Sequence, residues 1–156
     1  MISVFEPRLS LSDKYSVVKT LYKNQISGTS PIVEKFEKSC AEKFDREHAI
    51  AVSNGSVALD LAFQLIDLSE GDEVIIPSFT IISCLSAIIR AKAVPVFCDV
   101  DENSWNMTLE KVKEKTTDKT KAVLLVHLYG LTGEAEEIST YCNEKNILLI
   151  EDAAEA

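Results

Sequence analysis

The sequence predicts an α/β fold with a doubly wound, mainly parallel β-sheet. Segments of branched apolar residues alternate along the chain with segments whose apolar residues recur at helical spacing, which is the pattern of βαβ units. The last apolar run, residues 147–150, contains no polar residue and is typical of a strand buried on both faces. The carboxyl ends of such strands share one edge of the sheet, where open α/β sheets bind ligands.

Each element can be placed from its local pattern. Helices are predicted over residues 14–23, from Pro31 with Ser30 as N-cap, from Gly55 onward, over residues 80–90, from a Thr108 cap to Lys115, and over residues 135–145. Strands are predicted over residues 49–53, 73–76, 94–99, 121–127 and 147–151.

Composition excludes several classes of protein. The 156 residues are 46% hydrophobic and carry a formal net charge of -9, which fits a folded domain and argues against nucleic-acid binding. No apolar run approaches the roughly 20 residues of a membrane span, and no signal-peptide pattern is visible. The four cysteines, Cys40, Cys84, Cys98 and Cys142, are far apart in sequence, which predicts buried free thiols and a cytoplasmic protein.

Four groups of residues should gather at the carboxyl edge of the sheet: residues 53–57, 77–83, 127–130 and 151–155. In the first group, the glycine turn (residues 54–56) opens a helix, whose N–H groups and dipole suit a phosphate. On the local pattern alone, a plain turn and helix cap is the favoured explanation. The Walker and GxGxxG motifs are both absent. For His127, a structural hydrogen bond is favoured over a contact with a ligand.

Asp152 follows the last strand, where a carboxylate can pair with a cation, bind a metal or cap a following segment. The small Ala153 and Ala154 leave room for a flat ligand to lie against the backbone. Glu155 either adds a second polar contact or is a solvated surface residue.

Seven segments, taken together and in order, resemble the DegT/DnrJ/EryC1/StrS family of pyridoxal-phosphate-dependent nucleotide-sugar aminotransferases, and the perosamine synthase-type members most closely. The segments are residues 30–37, 52–59, 71–78, 94–100, 120–123, 126–130 and 150–156. The resemblance implies the N-terminal part of a fold type I large domain over residues 28–156, preceded by a lead and helix over residues 1–27. It also implies pyridoxal 5'-phosphate, a nucleotide-linked keto-sugar, an amino donor such as glutamate, a homodimer, and a role in polysaccharide biosynthesis.

The resemblance also assigns roles. Gly55, Ser56 and the Val57 backbone match the family's phosphate-binding turn, and Asp152 matches the carboxylate that holds the pyridine nitrogen protonated. Ala154 matches the small residue beneath the ring, and Glu155 matches a position near the ring's phenolic oxygen and the substrate. Ile81 falls where many members place an aromatic ring, so it offers apolar contact without stacking.

The family's Schiff-base lysine lies beyond the Glu-Asp-Ala-Ala stretch, and no residue of this sequence matches it. No catalytic residue is therefore assigned, and the chain is expected to be an N-terminal fragment that is inactive alone. Dehydratases of the family carry histidine at that position, so the choice between an aminotransferase and a dehydratase stays open. Two alternatives also stay open: a magnesium site formed by Asp99, Asp101, Glu151 and Asp152, and a non-catalytic remnant that binds a nucleotide-sugar.

Overall fold

The computed structural model describes Glu6 and residues 8–156, so part of the predicted N-terminal lead, residues 1–5 and 7, lies outside the described residues. The α-helices are α1 (Leu11–Tyr22), α2 (Pro31–Lys43), α3 (Gly55–Gln64), α4 (Ile82–Arg90), α5 (Leu109–Lys115) and α6 (Ala135–Lys145). The strands are β1 (Glu73–Pro77), β2 (Val94–Cys98), β3 (Thr120–Val126) and β4 (Leu148–Asp152), and a short 3-10 turn covers Leu128–Gly130.

The four strands form one parallel sheet in the order β2-β1-β3-β4. Side chains alternate between its faces, so Val74 and Ile76 of β1 join a core with α3 and α4, whereas Ile75 joins a core with α5 and α6. Helices therefore cover both faces, and the predicted doubly wound parallel architecture is confirmed.

Two compact units divide the chain, one ending at Ala51 and the other running from Val52 to Ala156. In the first unit, α1 and α2 form as predicted, but neither contains a buried residue. Phe36 of α2 and its C-cap residue Phe44 are both more than half exposed. The division of the chain into residues 1–27 and 28–156 stays a prediction.

The predicted strand over residues 49–53 is wrong, because the structure has no strand there. The Ala51 N–H donates to the Glu37 carboxylate at 2.8 Å instead of pairing with a neighbouring strand. Ile50 is 64% exposed, so this apolar stretch packs little among the described residues. The other predicted strand boundaries lie within one residue of those observed.

All four cysteines are free thiols, as predicted. Cys84, Cys98 and Cys142 are buried, and desolvation raises the pKa of each to about 11. Cys40 is only half-buried, so the prediction of burial is wrong at that position. Among the described residues, no helix combines the length and the apolar content needed to cross a membrane.

Two neighbouring isoleucines of α4 test which face of this helix packs in the core. Ile88 is fully buried in the core beneath α3 and α4, whereas Ile89 is 57% exposed. We expect Ile88→Ala to lower the free energy of unfolding by about 2–5 kcal/mol, because it removes buried methyl groups and leaves a cavity. The matched Ile89→Ala should change it by less than about 1 kcal/mol. Urea denaturation followed by circular dichroism measures both, and equal losses would contradict the assigned face of α4.

Candidate functional site

The glycine turn lies at the start of α3 and has free hydrogen-bond donors. The Asn54 side chain caps the helix by accepting from the Val57 N–H at 3.0 Å. Within residues 8–156, the N–H groups of Gly55 and Ser56 have no hydrogen-bond acceptor. A Cβ added at Gly55 would meet no atom within 4 Å. The turn therefore offers two backbone donors, the Ser56 hydroxyl and open space, which are the elements of an anion site.

Asp152 ends β4 with its carboxylate held at both oxygens. Its Oδ1 accepts from the Ala154 N–H at 3.1 Å, and its Oδ2 accepts from the Cys84 thiol at 3.4 Å. The Thr80 hydroxyl in turn donates to the Cys84 sulfur at 3.3 Å. Burial first, and then the nearby Asp152, raise the pKa of Cys84 to about 11, so the thiol keeps the proton that it donates.

The first turn of α4 connects Asp152 with the glycine turn. The Ser83 and Ser56 hydroxyl oxygens are 2.8 Å apart, and Ser83 is followed directly by Cys84, which reaches Asp152. The Cα atoms of consecutive residues are about 3.8 Å apart, so the contact with Ser56 and the contact with Asp152 start from adjacent positions in the same turn of α4. The structure therefore brings the residues expected to bind the phosphate and the pyridine nitrogen to the same edge of the sheet.

The turn formed by residues 127–130 holds the segment after β4 in place. The buried His127 contacts the Glu151 carboxylate through Nε2 at 3.0 Å, and its backbone N–H donates to the Asp152 carbonyl at 3.0 Å. The Tyr129 N–H donates to the Glu155 carboxylate at 2.8 Å, with Tyr129 in the left-handed region at φ 52°. His127 thus has the structural hydrogen bond that was favoured for it, and Glu155 is held by a turn.

The remaining predicted site residues, Ile81 and Ala154, lie at this edge. Ile81 is the N-cap residue of α4, one residue before the turn that carries Ser83, and it is 62% exposed. Ala154 is exposed beside Asp152. The sequence placed Ser83 in the 77–83 group expected at this edge but gave it no individual role, and it missed Cys84 as a partner of the site. Thr80 and Cys84 are four residues apart, as on one face of a helix, but this spacing does not indicate that Cys84 contacts Asp152, 68 residues further along the chain.

The structure does not form the alternative magnesium site. Asp99 follows β2 and Asp152 ends β4, and these are the two outer strands, about 14 Å apart at the usual strand spacing. The Asp99 and Asp101 carboxylates instead accept local backbone N–H groups, from Val100 and from Ser104 and Asn103 respectively, which hold both pKa values below their usual range. Nowhere in the described part of the chain do three or more His, Cys, Asp or Glu residues form a group able to hold a metal ion.

Comparison with known proteins identifies relatives of the chain. The model of the DegT/DnrJ/EryC1/StrS aminotransferase family matches residues 10–156. The GDP-perosamine synthase of Escherichia coli O157:H7 is 41% identical over 155 residues, which are 99% of this chain and 43% of that protein. The GDP-perosamine synthase of Vibrio cholerae is 37% identical over 100% of this chain and 42% of its own length. The chain thus spans about two-fifths of the length of these relatives.

Solved structures share the fold. An aminotransferase from Psychrobacter cryohalolentis matches with a TM-score of 0.88 and 37% identity, over 96% of this chain and 38% of its own. The Escherichia coli GDP-4-keto-6-deoxy-D-mannose-3-dehydratase, solved with hydrated pyridoxal phosphate, matches with a TM-score of 0.80 and 28% identity, over 89% and 37%. The predicted fold type I architecture and family resemblance are therefore confirmed.

Two glycines with left-handed backbones test the contact between the 127–130 turn and the segment after β4. A Cβ on Gly130 (φ 82°) would lie 3.2 Å from the Glu155 carbonyl oxygen, whereas one on Gly71 (φ 94°) would meet nothing within 4 Å. We expect both alanine variants to lose about 1–2 kcal/mol of stability from backbone strain. Only Gly130→Ala should shift the amide NMR signals of Ala154 and Glu155. The same shifts in Gly71→Ala would contradict the contact.

Proposed function

We propose that the chain, which belongs to the DegT/DnrJ/EryC1/StrS aminotransferase family, forms the pyridoxal-phosphate-binding part of an enzyme that aminates a nucleotide-linked keto-sugar. The observation that carries this proposal is the first turn of α4, through which Ser83 contacts Ser56 and Cys84 contacts Asp152. A phosphate anchor and a carboxylate that share one helical turn suit a small ligand with an anionic group at one end and a basic nitrogen at the other.

In this proposal, the glycine turn binds the phosphate. The free N–H groups of Gly55 and Ser56 and the Ser56 hydroxyl donate to phosphate oxygens, and the positive end of the α3 dipole adds to the attraction. The Val57 N–H already donates to Asn54, so its predicted use by the phosphate requires that side chain to turn away. The bare Cα of Gly55 lets the anion approach the backbone.

Asp152 binds the pyridine nitrogen in this proposal. When bound, pyridoxal phosphate supplies an electron sink for the carbanion formed in amino transfer, and it does so best with a protonated ring nitrogen. The Asp152 carboxylate, fixed by Cys84 and Ala154, holds that proton at the nitrogen. The exposed Ile81 gives apolar contact to the ring without stacking, and Ala154 leaves room beneath it.

The names of the relatives support the proposed substrate class. Those with matching sequences include GDP-perosamine synthases and a dTDP-4-dehydro-2,3,6-trideoxy-D-glucose 4-aminotransferase. We propose an amino transfer to a keto-sugar on a nucleoside diphosphate, with glutamate as donor, for polysaccharide biosynthesis by a cytoplasmic homodimer. Sugar dehydration is the second candidate, because dehydratases of this fold also match. The residue that separates the two, lysine or histidine, is not matched within these 156 residues.

Binding of pyridoxal phosphate to the 156-residue chain tests the proposed site. We expect Asp152→Asn to lower the affinity about tenfold or more, because it removes the charge from a charge-assisted hydrogen bond. Gly55→Ala should lower it several-fold, because the added methyl group occupies the space that the phosphate needs. Equilibrium dialysis measures both affinities, and quenching of Trp105, the single tryptophan, provides a second signal.

Gly28→Ala is the matched control, since a Cβ there also meets no atom within 4 Å and Gly28 lies in the other unit. The Gly28→Ala variant should bind pyridoxal phosphate with the same affinity as the unaltered chain. Gly55→Ala should leave the free energy of unfolding unchanged or raise it by up to about 1 kcal/mol, so that a binding loss cannot reflect unfolding. Unaltered affinity in both Asp152→Asn and Gly55→Ala would contradict the proposed site.

We also propose that the 156 residues alone do not complete amino transfer, because the lysine that shuttles the proton in the family is not matched among them. Incubation with pyridoxal phosphate, glutamate and a GDP-linked 4-keto-6-deoxy sugar should release 2-oxoglutarate no faster than the mixture without protein. Release at several turnovers per chain would contradict this expectation and would show that another residue moves the proton.

A further inference from the structure

We propose that Ser83 and Cys84 are positioning residues that fix the two ends of the cofactor site relative to each other. Ser83 orients the Ser56 hydroxyl toward the phosphate, and Cys84 orients the Asp152 carboxylate toward the pyridine nitrogen. The inference rests on the function proposed above and extends it to two residues for which the family resemblance gave no role.

The contact at Ser83 determines where the Ser56 proton points. The two hydroxyl oxygens are 2.8 Å apart and both residues are half-buried. A hydroxyl donates one hydrogen bond and accepts others, so only one of the pair can donate to its partner. When Ser83 donates to Ser56, the Ser56 proton is free to bind a phosphate oxygen. Ser83 thereby makes Ser56 a better donor to an anion without touching the anion itself.

The contact at Cys84 fixes one oxygen of Asp152. The thiol is fully buried and donates to Oδ2 at 3.4 Å, while Thr80 donates to the same sulfur at 3.3 Å. Successive hydrogen bonds of this kind polarise one another and strengthen the chain. Since the Ala154 N–H occupies Oδ1, the carboxylate plane is fixed at both oxygens. Lone pairs then remain in a defined direction for a protonated ring nitrogen.

The buried face of α4 holds Ser83 and Cys84 at fixed positions. Cys84, Ala87 and Ile88 of α4 are buried in one core with strands β1 and β3. Neighbouring residues at the start of a helix anchored in this way cannot move apart. The distance between the phosphate anchor and the carboxylate is thus set by one helical turn, although the residues that touch the cofactor come from α3 and β4.

The two contacts act on opposite ends of the ligand, so their removal should have different chemical signatures. Ser83→Ala should weaken binding of both inorganic phosphate and pyridoxal phosphate about fivefold, because each needs the Ser56 donor. Cys84→Ala should weaken only pyridoxal phosphate, by about tenfold, because inorganic phosphate makes no contact with Asp152. Equilibrium dialysis with each probe measures these affinities in the full 156-residue chain.

Two further variants separate positioning from packing. Cys84→Ser keeps a hydrogen-bond donor and should recover most of the affinity lost in Cys84→Ala. Ser86→Ala, on the same helix and with no side-chain hydrogen bond among the described residues, should bind both probes like the unaltered chain. Equal losses in Cys84→Ser and Cys84→Ala, or an equal loss of phosphate binding in Cys84→Ala, would overturn the role of Cys84. Unaltered phosphate affinity in Ser83→Ala would overturn that of Ser83.

An infrared measurement tests the thiol contact without any cofactor. The S–H stretching band of Cys84, identified as the band lost in Cys84→Ala, should move to higher frequency in Asp152→Asn, because an amide oxygen is a weaker acceptor than a carboxylate. An unchanged band would overturn the contact, whatever the chain binds. If the unaltered chain does not bind pyridoxal phosphate, the proposed function fails and this inference with it. If it binds and all variants bind equally, only this inference fails.

Discussion

The parallel pairing of β3 with β4 is the constraint on which the candidate site depends. Its last rungs pair Val126 with Asp152 and continue with the His127 N–H on the Asp152 carbonyl at 3.0 Å. Because both strands end at the same edge of the sheet, the 127–130 turn contacts the segment after β4, and the Tyr129 N–H donates a hydrogen bond to the Glu155 carboxylate. Ile150 packs in the α4 core and Leu149 in the opposite one, so a slip of one residue would turn Asp152 away from Cys84.

Helix α4 converts this arrangement into a site with two ends. Its buried face is held against β1 and β3, while its first turn presents one hydroxyl to the glycine turn and one thiol to Asp152. The two ends of the site also differ in electrostatic potential. Backbone donors and a helix dipole favour negative charge at α3, and the Asp152 carboxylate favours a proton at the other end. A cofactor with a phosphate and a basic ring nitrogen complements both ends.

Much of the fold was predictable from periodicity, because runs such as residues 147–150 and the spacing of apolar residues in the helices reflect burial directly. The strand predicted over residues 49–53 failed because its composition favours a strand but no neighbouring strand is described to pair with it. The order β2-β1-β3-β4, which separates Asp99 from Asp152, depends on which strands pair and cannot be inferred from local pattern. The contact of Cys84 with Asp152 joins residues far apart in sequence and required the three-dimensional structure.

The crystal structure of the chain with pyridoxal phosphate tests the central claim most directly. The account predicts a single molecule whose phosphate accepts hydrogen bonds from the Gly55 and Ser56 N–H groups and whose ring nitrogen donates to Asp152. The Cys84 thiol should keep its contact with Oδ2 in that complex. A molecule whose phosphate occupies the glycine turn while its ring points away from Asp152, or one bound elsewhere on the chain, would contradict the account.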